Sequence, residues 1–209
     1  MLRFSLAHPA RYFLLCCLLS SAFFLLASCG QPAQIGPTTT QAGGAPTQGC
    51  DIEVSWAMFY ESLGELKHAT ALDLAVQGTL TTQLRTQGQM NPTGGSNGPL
   101  STDFSFTISK VLLDPHHLLT RFPAPITIHQ TGGWFGSTLH QVCGDPLFRV
   151  GEGAVLFLHQ FGPGQYFVIG GPSGRFEVRH GFVQPVNDEG VHLPPNLTEQ
   201  QFETLLQQA

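Results

Sequence analysis

Histidine is the chemically versatile side chain that this sequence uses most freely. The chain of 209 residues has nine histidines, as many as its lysines and arginines together. His116 and His117 closely follow Asp114, and His129 lies a short distance along the chain. Imidazole and carboxylate groups that converge on one point hold Zn²⁺ at about 2.0–2.1 Å. We therefore treat Asp114, His116, His117 and His129 as a candidate metal site, although their spacing matches no established ligand motif.

Two adjacent aromatic residues form a second candidate site. Trp134 and Phe135 lie in the segment Gly132–Gly136, where the flanking glycines favour a loop. Exposed aromatic side chains often anchor proteins, sugars or lipids, whereas the same side chains can also cover the end of a barrel. The sequence leaves both interpretations open, and it makes Trp134 and Phe135 the candidate binding residues.

The familiar catalytic motifs are missing from the sequence. The segment Gly171–Arg175 does not match the Gly-x-Ser-x-Gly motif of serine hydrolases around Ser173, because Arg175 stands where the motif has its last glycine. Three carboxylates are available for glycosidase chemistry, but nothing in the sequence pairs them: Asp103, Asp145 and Glu152. We therefore expect no enzyme activity and no bound cofactor.

Composition limits the fold and the partners. Hydrophobic residues make up 42% of the chain, charged residues only 11%, and there are 24 glycines and 15 prolines. Helical bundles and coiled coils use far more Ala, Glu, Lys and Leu, so the profile favours one β-rich domain with appendages. The formal net charge of −5 gives no basic surface for nucleic acid, which we exclude as a partner.

The N-terminus has the pattern of a signal peptide. Arg3 and Arg11 precede an apolar run over Tyr12–Leu25, which is shorter than the roughly 20 residues of a membrane span. The run ends in Leu26-Ala27-Ser28-Cys29, which resembles the lipobox of bacterial lipoproteins. That resemblance implies cleavage between Ser28 and Cys29 and a diacylglycerol thioether on Cys29, whose new N-terminus could then also be acylated. The alternatives are an uncleaved N-terminal membrane helix and an ordinary signal peptide cleaved elsewhere.

The lipid anchor implied by this resemblance would have to hold the protein on the membrane. Cleavage would remove both arginines and no acidic residue, so the mature chain would be more acidic and would not be drawn to anionic lipid. Residues 29–49 contain one large apolar residue, Ile35, and no charge, which predicts a flexible tether. We expect an extracytoplasmic location in a bacterial cell envelope, on either the inner or the outer membrane.

Two cysteines remain once the signal peptide and Cys29 are set aside. Outside the cytoplasm, a lone pair such as Cys50 and Cys143 predicts a disulfide, with two separate thiols as the alternative. A bond would close a loop of about 93 residues, for which the chain-entropy relation gives about 4–5 kcal/mol.

Periodicity predicts a domain over residues 50–188 that is mainly β. Alternating or continuous apolar patterns mark seven strands, over 72–84, 104–113, 126–129, 154–159, 165–169, 175–179 and 182–186. Capping patterns begin a short helix at Ser62 and an amphipathic helix at Thr198, within a tail over 189–209. This order favours a small, closed or half-closed antiparallel barrel with one internal helix and a C-terminal helix.

The order of strands and turns between about residues 60 and 183 is similar to that of largely uncharacterised secreted and lipid-anchored bacterial proteins. The shared features are Gly132-Gly133, Gly151-Glu152-Gly153 before an apolar strand, and a turn over Gly170–Phe176. The order more distantly resembles the netrin-like module of tissue inhibitors of metalloproteinases, which implies an oligonucleotide/oligosaccharide-binding-type barrel. Those inhibitors ligate a protease metal through an N-terminal cysteine. We do not extend that chemistry to this chain, because Cys29 is expected to carry lipid.

These patterns lead to one functional expectation and two alternatives. The expectation is a lipid-anchored, non-catalytic module that binds an envelope protein or another surface component. The first alternative is a metal-binding lipoprotein that uses the histidines, and the second is an envelope enzyme. The sequence identifies neither the partner nor the oligomeric state.

Overall fold

A computed structural model describes residues 50–54, 56–88, 100–119 and 125–209. The predicted signal peptide, the Cys29 lipidation site and the tether lie outside the described residues. Strands dominate the described residues, with a short internal helix and a C-terminal helix, as predicted. The elements are α1 (Leu63–Lys67), β1 (Leu74–Gln87), β2 (Ser101–Leu113), β3 (Ile126–Phe135), β4 (Thr138–Gln141), β5 (Gly153–Gly162), β6 (Gln165–Val168), a 3₁₀ helix (Gly171–Gly174), β7 (Arg175–Arg179), β8 (Phe182–Pro185), β9 (Leu197–Thr198) and α2 (Glu199–Gln208).

Five of the strands form a closed ring of pairings. β1 pairs with β2, β2 with β3, β6 with β5, and β5 with β1, all antiparallel. The remaining pair, β3 with β6, is parallel. β7, β8 and β9 extend the sheet from β5, and β4 forms a hairpin with β3. Within the described residues, no helix is long and apolar enough to cross a bilayer.

The two faces of the ring strands supply two separate apolar cores. All five ring strands contribute to one cluster, with side chains such as Leu74, Phe106, Ile128, Leu156 and Tyr166. The other cluster lies between the opposite face of the sheet and the helices, and its members include Ala75, Phe157, Phe176, Phe202 and Leu206. Successive side chains of a strand point to opposite faces, so β5 is buried on both sides, as its continuous apolar sequence predicts.

Both helices begin at the predicted caps. The Ser62 hydroxyl accepts the backbone N–H of Glu65, and the Thr198 hydroxyl accepts that of Gln201. The Gln201 side chain returns a hydrogen bond by accepting from the Thr198 backbone. Phe202 then packs against Phe176 with ring centroids 5.2 Å apart, so α2 contributes to the same core as the sheet.

A disulfide joins the start of the described domain to the segment after β4. Cys50 and Cys143 are bonded, as predicted, with their Cα atoms 4.7 Å apart. The Asp51 and Ile52 backbone N–H groups both donate to the Gln141 carbonyl, and Ile52 forms a parallel bridge with Val142. The point at which the chain enters the domain therefore lies beside β4.

The strand predicted over 126–129 is longer in the structure, and its hairpin partner β4 was not predicted. Gly132 and Gly133 suggest a loop in the sequence, but they lie within β3 at φ +106° and +153°. A Cβ on Gly133 would lie 2.4 Å from Thr102 Oγ1, and one on Gly132 would lie 2.8 Å from the His140 carbonyl oxygen. The glycines allow neighbouring chains to approach closely, so the strand continues to Phe135.

Candidate binding site

Two histidine and two phenylalanine side chains meet on the outer face of the five-stranded ring. His159 and Phe161 alternate along β5, while Phe167 on β6 pairs in register with both His159 and His129 of β3. This arrangement places the four side chains on one face, and we call them the aromatic–imidazole patch. Phe161 and Phe167 stack with ring centroids 6.0 Å apart. His159 lies 5.1 Å from Phe167, and His129 lies 5.7 Å from Phe161.

The patch exposes apolar surface to solvent. Phe161 is 50% exposed and Phe167 is 36% exposed. Contiguous exposed apolar surface bounded by polar groups marks interaction sites on soluble proteins. The aromatic–imidazole patch is therefore the strongest candidate for a binding surface on this face.

A hydrogen bond at Nδ1 fixes each histidine of the patch. His129 Nδ1 is hydrogen-bonded to Asp103 Oδ1 over 2.7 Å, whereas His159 Nδ1 is hydrogen-bonded to the Ala71 carbonyl oxygen over 3.1 Å and also lies 2.8 Å from Asp73 Oδ2. Carboxylate and carbonyl oxygens accept hydrogen bonds, so in a neutral imidazole they select the tautomer with the proton on Nδ1. The Nε2 atom of each ring is then an acceptor that can receive a hydroxyl group from a ligand.

Asp103 is held in its charged form by its neighbours. Burial favours the neutral carboxyl, but hydrogen bonds and the charges of His129 and Arg85 outweigh that effect and lower the pKa of Asp103. Arg85 Nε donates to Asp103 Oδ2 over 2.7 Å. A charged Asp103 keeps His129 oriented across the neutral pH range.

A pocket adjoins the patch and shares two of its rings. It has a volume of about 190 Å³, and an apolar protein cavity of roughly 150 Å³ accommodates benzene, so one six-membered ring fits. His129 and Phe167 form its boundary with the patch, while Trp56, Phe148 and Gln130 line its other sides. The lining within the described residues includes Asp145 but no Lys or Arg to pair with an anionic ligand.

Asp145 also lines this pocket, but a buried ion-pair network engages it. Arg175 Nη1 donates to Asp145 over 3.0 Å, and Nη2 donates to Glu152 over 2.7 Å. The guanidinium also lies 3.8 Å from the ring centroid of Phe148. Burial raises the pKa of Asp145, although the Arg175 charge acts in the opposite direction. These two carboxylates stabilise a buried cation, and this arrangement is that of a structural network rather than a free acid–base pair.

Comparison with protein-family models, with curated proteins and with solved structures finds no match to this chain.

The predicted aromatic pair lies at the tip of the β3–β4 hairpin. Trp134 and Phe135 are both 50% exposed, and they end β3 rather than lying in the predicted loop. The Phe135 ring is 6.5 Å from that of His140, which is hydrogen-bonded to Asp51. Trp134 lines a second pocket of about 190 Å³, whose other residues include Leu139, Leu147 and Arg149.

In the structure, the predicted metal ligands make contacts with other groups. His116 Nε2 lies 3.6 Å from Asp73, while His129 is held by Asp103. The Asp114 carboxylate accepts the backbone N–H groups of Leu118 and Leu119, and its turn continues through His117 at φ +52°. Among the described residues, no three His, Cys, Asp or Glu side chains are placed to hold one metal ion. Asp114, His116, His117 and His129 are therefore not brought together as a site.

Sequence reasoning missed three members of the patch: His159, Phe161 and Phe167. The alternation His159-Gln160-Phe161 at the end of an apolar run is a signal that one face of β5 becomes exposed there. The contribution of β6 and β3 depends on strand register, which the sequence does not display. Only the fold joins these rings to His129.

Proposed function

We propose that this protein is a lipid-anchored, extracytoplasmic module of a bacterial cell envelope that binds a surface component without catalysing a reaction. The resemblance of Leu26–Cys29 to a lipobox supports the anchor, with Cys29 as the lipidated residue. The disulfide between Cys50 and Cys143 is consistent with an oxidising compartment outside the cytoplasm.

We further propose that the strand ring is a barrel of the oligonucleotide/oligosaccharide-binding type. Its support is the pairing order β1-β2-β3-β6-β5-β1, with one parallel pair between β3 and β6. Barrels of this type bind ligands on the face of their second and third strands and on the loops beside it, including the loop between the last two strands. In this chain, β3 and the β5–β6 hairpin carry the aromatic–imidazole patch.

The observation that carries the binding proposal is the continuity of the patch with the ring-sized pocket. The stacked phenylalanines offer apolar surface, and His129 and His159 offer Nε2 acceptor atoms because each ring is oriented by a hydrogen bond at Nδ1. The pocket lining and the acidic net charge both disfavour anions, including nucleic acid. The ligand that fits this chemistry is an uncharged ring with hydroxyl groups, carried by an envelope component.

Capture from detergent-solubilised envelope tests this proposal. The intact mature protein is the bait, and the Phe161→Ser/Phe167→Ser variant removes the stacked rings of the patch. Phe182→Ser is the matched control, because Phe182 is 41% exposed on β8, away from the patch. Proteins are quantified by mass spectrometry and bound sugars by composition analysis.

The expected result is one component retained by the wild type and by Phe182→Ser but lost from the double variant. Circular dichroism must show that all three proteins fold alike. Equal capture by all three proteins, or capture of nothing above background, would contradict a binding role for the patch.

A further inference from the structure

The β3–β4 hairpin carries exposed aromatic rings on both of its faces. Trp134 and Phe135 are neighbours in a strand, so their side chains point to opposite sides. Phe135 faces His140, whereas Trp134 lines the second pocket with Leu139 and Arg149. The turn that follows, Gly136-Ser137, has no charged residue. A hairpin apolar on both sides at its tip is suited to end-on insertion into an apolar medium rather than to packing one face against a flat protein.

The chain enters the domain beside this hairpin. Cys50, the first described residue, is bonded to Cys143, two residues after β4 ends at Gln141. Asp51 accepts the backbone N–H of Gln141 and also pairs with the His140 ring, which contacts Phe135. The covalent and hydrogen-bonded attachment of the entering chain therefore places Cys50 and Asp51, which directly follow the predicted tether in sequence, beside the hairpin that carries the exposed aromatic pair.

The predicted tether is short enough to keep the domain near the proposed anchor. Residues 30–49 are 20 residues, and a chain of that length with the coil behaviour that its composition predicts would have a root-mean-square span of about 25 Å. A domain held within such a distance meets the bilayer at high effective concentration, so even weak insertion is favoured. The acidic chain provides no broad electrostatic attraction to anionic lipid, so the contact would depend on apolar insertion.

We propose that the tip of the β3–β4 hairpin, Trp134 and Phe135, inserts into the interfacial region of the lipid bilayer to which the protein is anchored. Tryptophan and phenylalanine suit this region because their rings pack among the upper acyl chains, and the indole N–H also reaches polar groups. The proposal rests on the proposed lipid anchoring and adds an orientation to it. His129 lies about 17 Å from Trp134 along β3, so docking at the tip directs the patch away from the bilayer.

Tryptophan quenching by brominated lipid tests the proposal. The lipidated protein is purified from bacterial membranes and reconstituted into phosphatidylcholine vesicles that carry bromine near the top of the acyl chains. The chain has two tryptophans, so Trp56→Phe leaves Trp134 as the only reporter. We expect Trp134 emission to shift to the blue and to fall by at least about twofold, since an interfacial side chain lies within about 5–10 Å of the headgroup boundary.

The matched control places the reporter in the aromatic–imidazole patch, at Phe161 of β5. In Trp56→Phe/Trp134→Phe/Phe161→Trp, the only tryptophan lies in the aromatic–imidazole patch, and we expect no quenching. Absence of quenching at Trp134 in protein that floats with the vesicles would overturn the proposal. Equal quenching at both positions would also overturn it, because the domain would then have no defined orientation. A protein that co-purifies through Trp134, with Trp134 unquenched, would reassign the hairpin to protein binding.

Flotation of the same samples separates failure of the hairpin proposal from failure of the anchor. If the purified chain carries no lipid and does not float, the proposed anchoring is wrong. The hairpin is then tested on the chain that begins at Cys29, with a maleimide lipid coupled to that cysteine. Cys29 is its only free thiol because Cys50 and Cys143 are bonded. Quenching of Trp134 in that sample supports insertion, and its absence contradicts it.

Discussion

Asp103 connects the surface patch to the acid stability of the domain. Its pKa is lowered in the folded protein, where burial is outweighed by the contacts with His129 and Arg85. A carboxylate whose folded-state pKa is lowered stabilises the fold above its unfolded-state value of about 4, and that stabilisation is lost as the pH falls through the folded-state pKa. Protonation should therefore weaken the fold and release His129 from its fixed orientation.

Asp103→Asn should cost about 1–3 kcal/mol of unfolding free energy at pH 7, because it weakens two hydrogen bonds to a charged acceptor. The difference between the variant and the wild type should shrink between about pH 5 and pH 2, since the wild type loses the same contribution by protonation. Urea unfolding at several pH values measures it. A difference that stays constant over this range would contradict the assigned role of Asp103.

Arg175 is the buried cation on which two carboxylates depend. It is 2% exposed, and removing it leaves Asp145 and Glu152 without their shared partner. Breaking such a buried pair costs about 3–5 kcal/mol, so Arg175→Met should lower the denaturant midpoint strongly. Arg179→Met is the control, because the ion pair of Arg179 with Glu177 is at the surface and should contribute less than about 1 kcal/mol. Equal losses in the two variants would refute the buried network as a stabilising unit.

At the scale of elements, Gly78 sets how closely β1 and β2 approach. The register between these strands shifts at Gln77/Gly78, and a Cβ on Gly78 would lie 2.2 Å from the Thr107 carbonyl oxygen. Gly78→Ala should destabilise the domain by about 1–3 kcal/mol through overpacking. Gly162→Ala, where the nearest atom is 3.6 Å away, should stay within about 0.5 kcal/mol. Thermal unfolding measures the stability of the two variants. Similar losses of stability in both would show that the close approach of β1 and β2 at Gly78 does not determine the effect of the added Cβ.

The sequence pattern alone was sufficient to predict the strands in which buried apolar residues alternate or run continuously along the chain. Strict alternation at Phe104, Phe106 and Ile108 predicted β2, and a continuous apolar run predicted that β5 is buried on both faces. The hairpin of β3 with β4 was missed because Gly132 and Gly133 resemble a loop unless the close approach of Thr102 and His140 is known. The disulfide followed from cysteine count and compartment.

The candidate site was less accessible to sequence reasoning than the fold. Trp134 and Phe135 could be proposed because they are adjacent and flanked by glycines. The patch could not, because the parallel pairing of β3 with β6 joins His129 to Phe167 across 38 positions of sequence. Register over such a separation is decided by packing of the whole ring, and no local signal encodes it.

The disulfide acts at the scale of the whole molecule because it joins the chain entry point to β4. Cys50→Ser/Cys143→Ser should cost up to about 4–5 kcal/mol, since the bond restricts a loop of 93 residues in the unfolded chain. Urea unfolding of the variant and of the reduced wild type should give the same loss. If the loss in the variant greatly exceeded that on reduction, the serine side chains rather than the bond would be responsible.

Membrane attachment depends on Cys29 alone if the protein is a lipoprotein. Each buried CH₂ of an acyl chain contributes about 0.8 kcal/mol, and two or more chains give stable attachment where one chain does not. The hairpin tip adds two rings, which cannot replace acyl chains on that scale. Charge cannot replace them either, because the chain is acidic. Loss of Cys29 should therefore release the protein, even with Trp134 and Phe135 intact.

Cys29→Ala expressed in bacteria should abolish incorporation of labelled palmitate and leave the chain uncleaved at Ser28. A version of the mature chain secreted with an ordinary signal peptide should be recovered in the soluble fraction, whereas the wild type should stay with the membrane in high salt. Screening by salt removes electrostatic attachment but not acyl insertion, so retention in high salt identifies lipid as the cause. Palmitate incorporation by the Cys29→Ala chain, or release of the wild type by salt, would show that Cys29 is not the anchor.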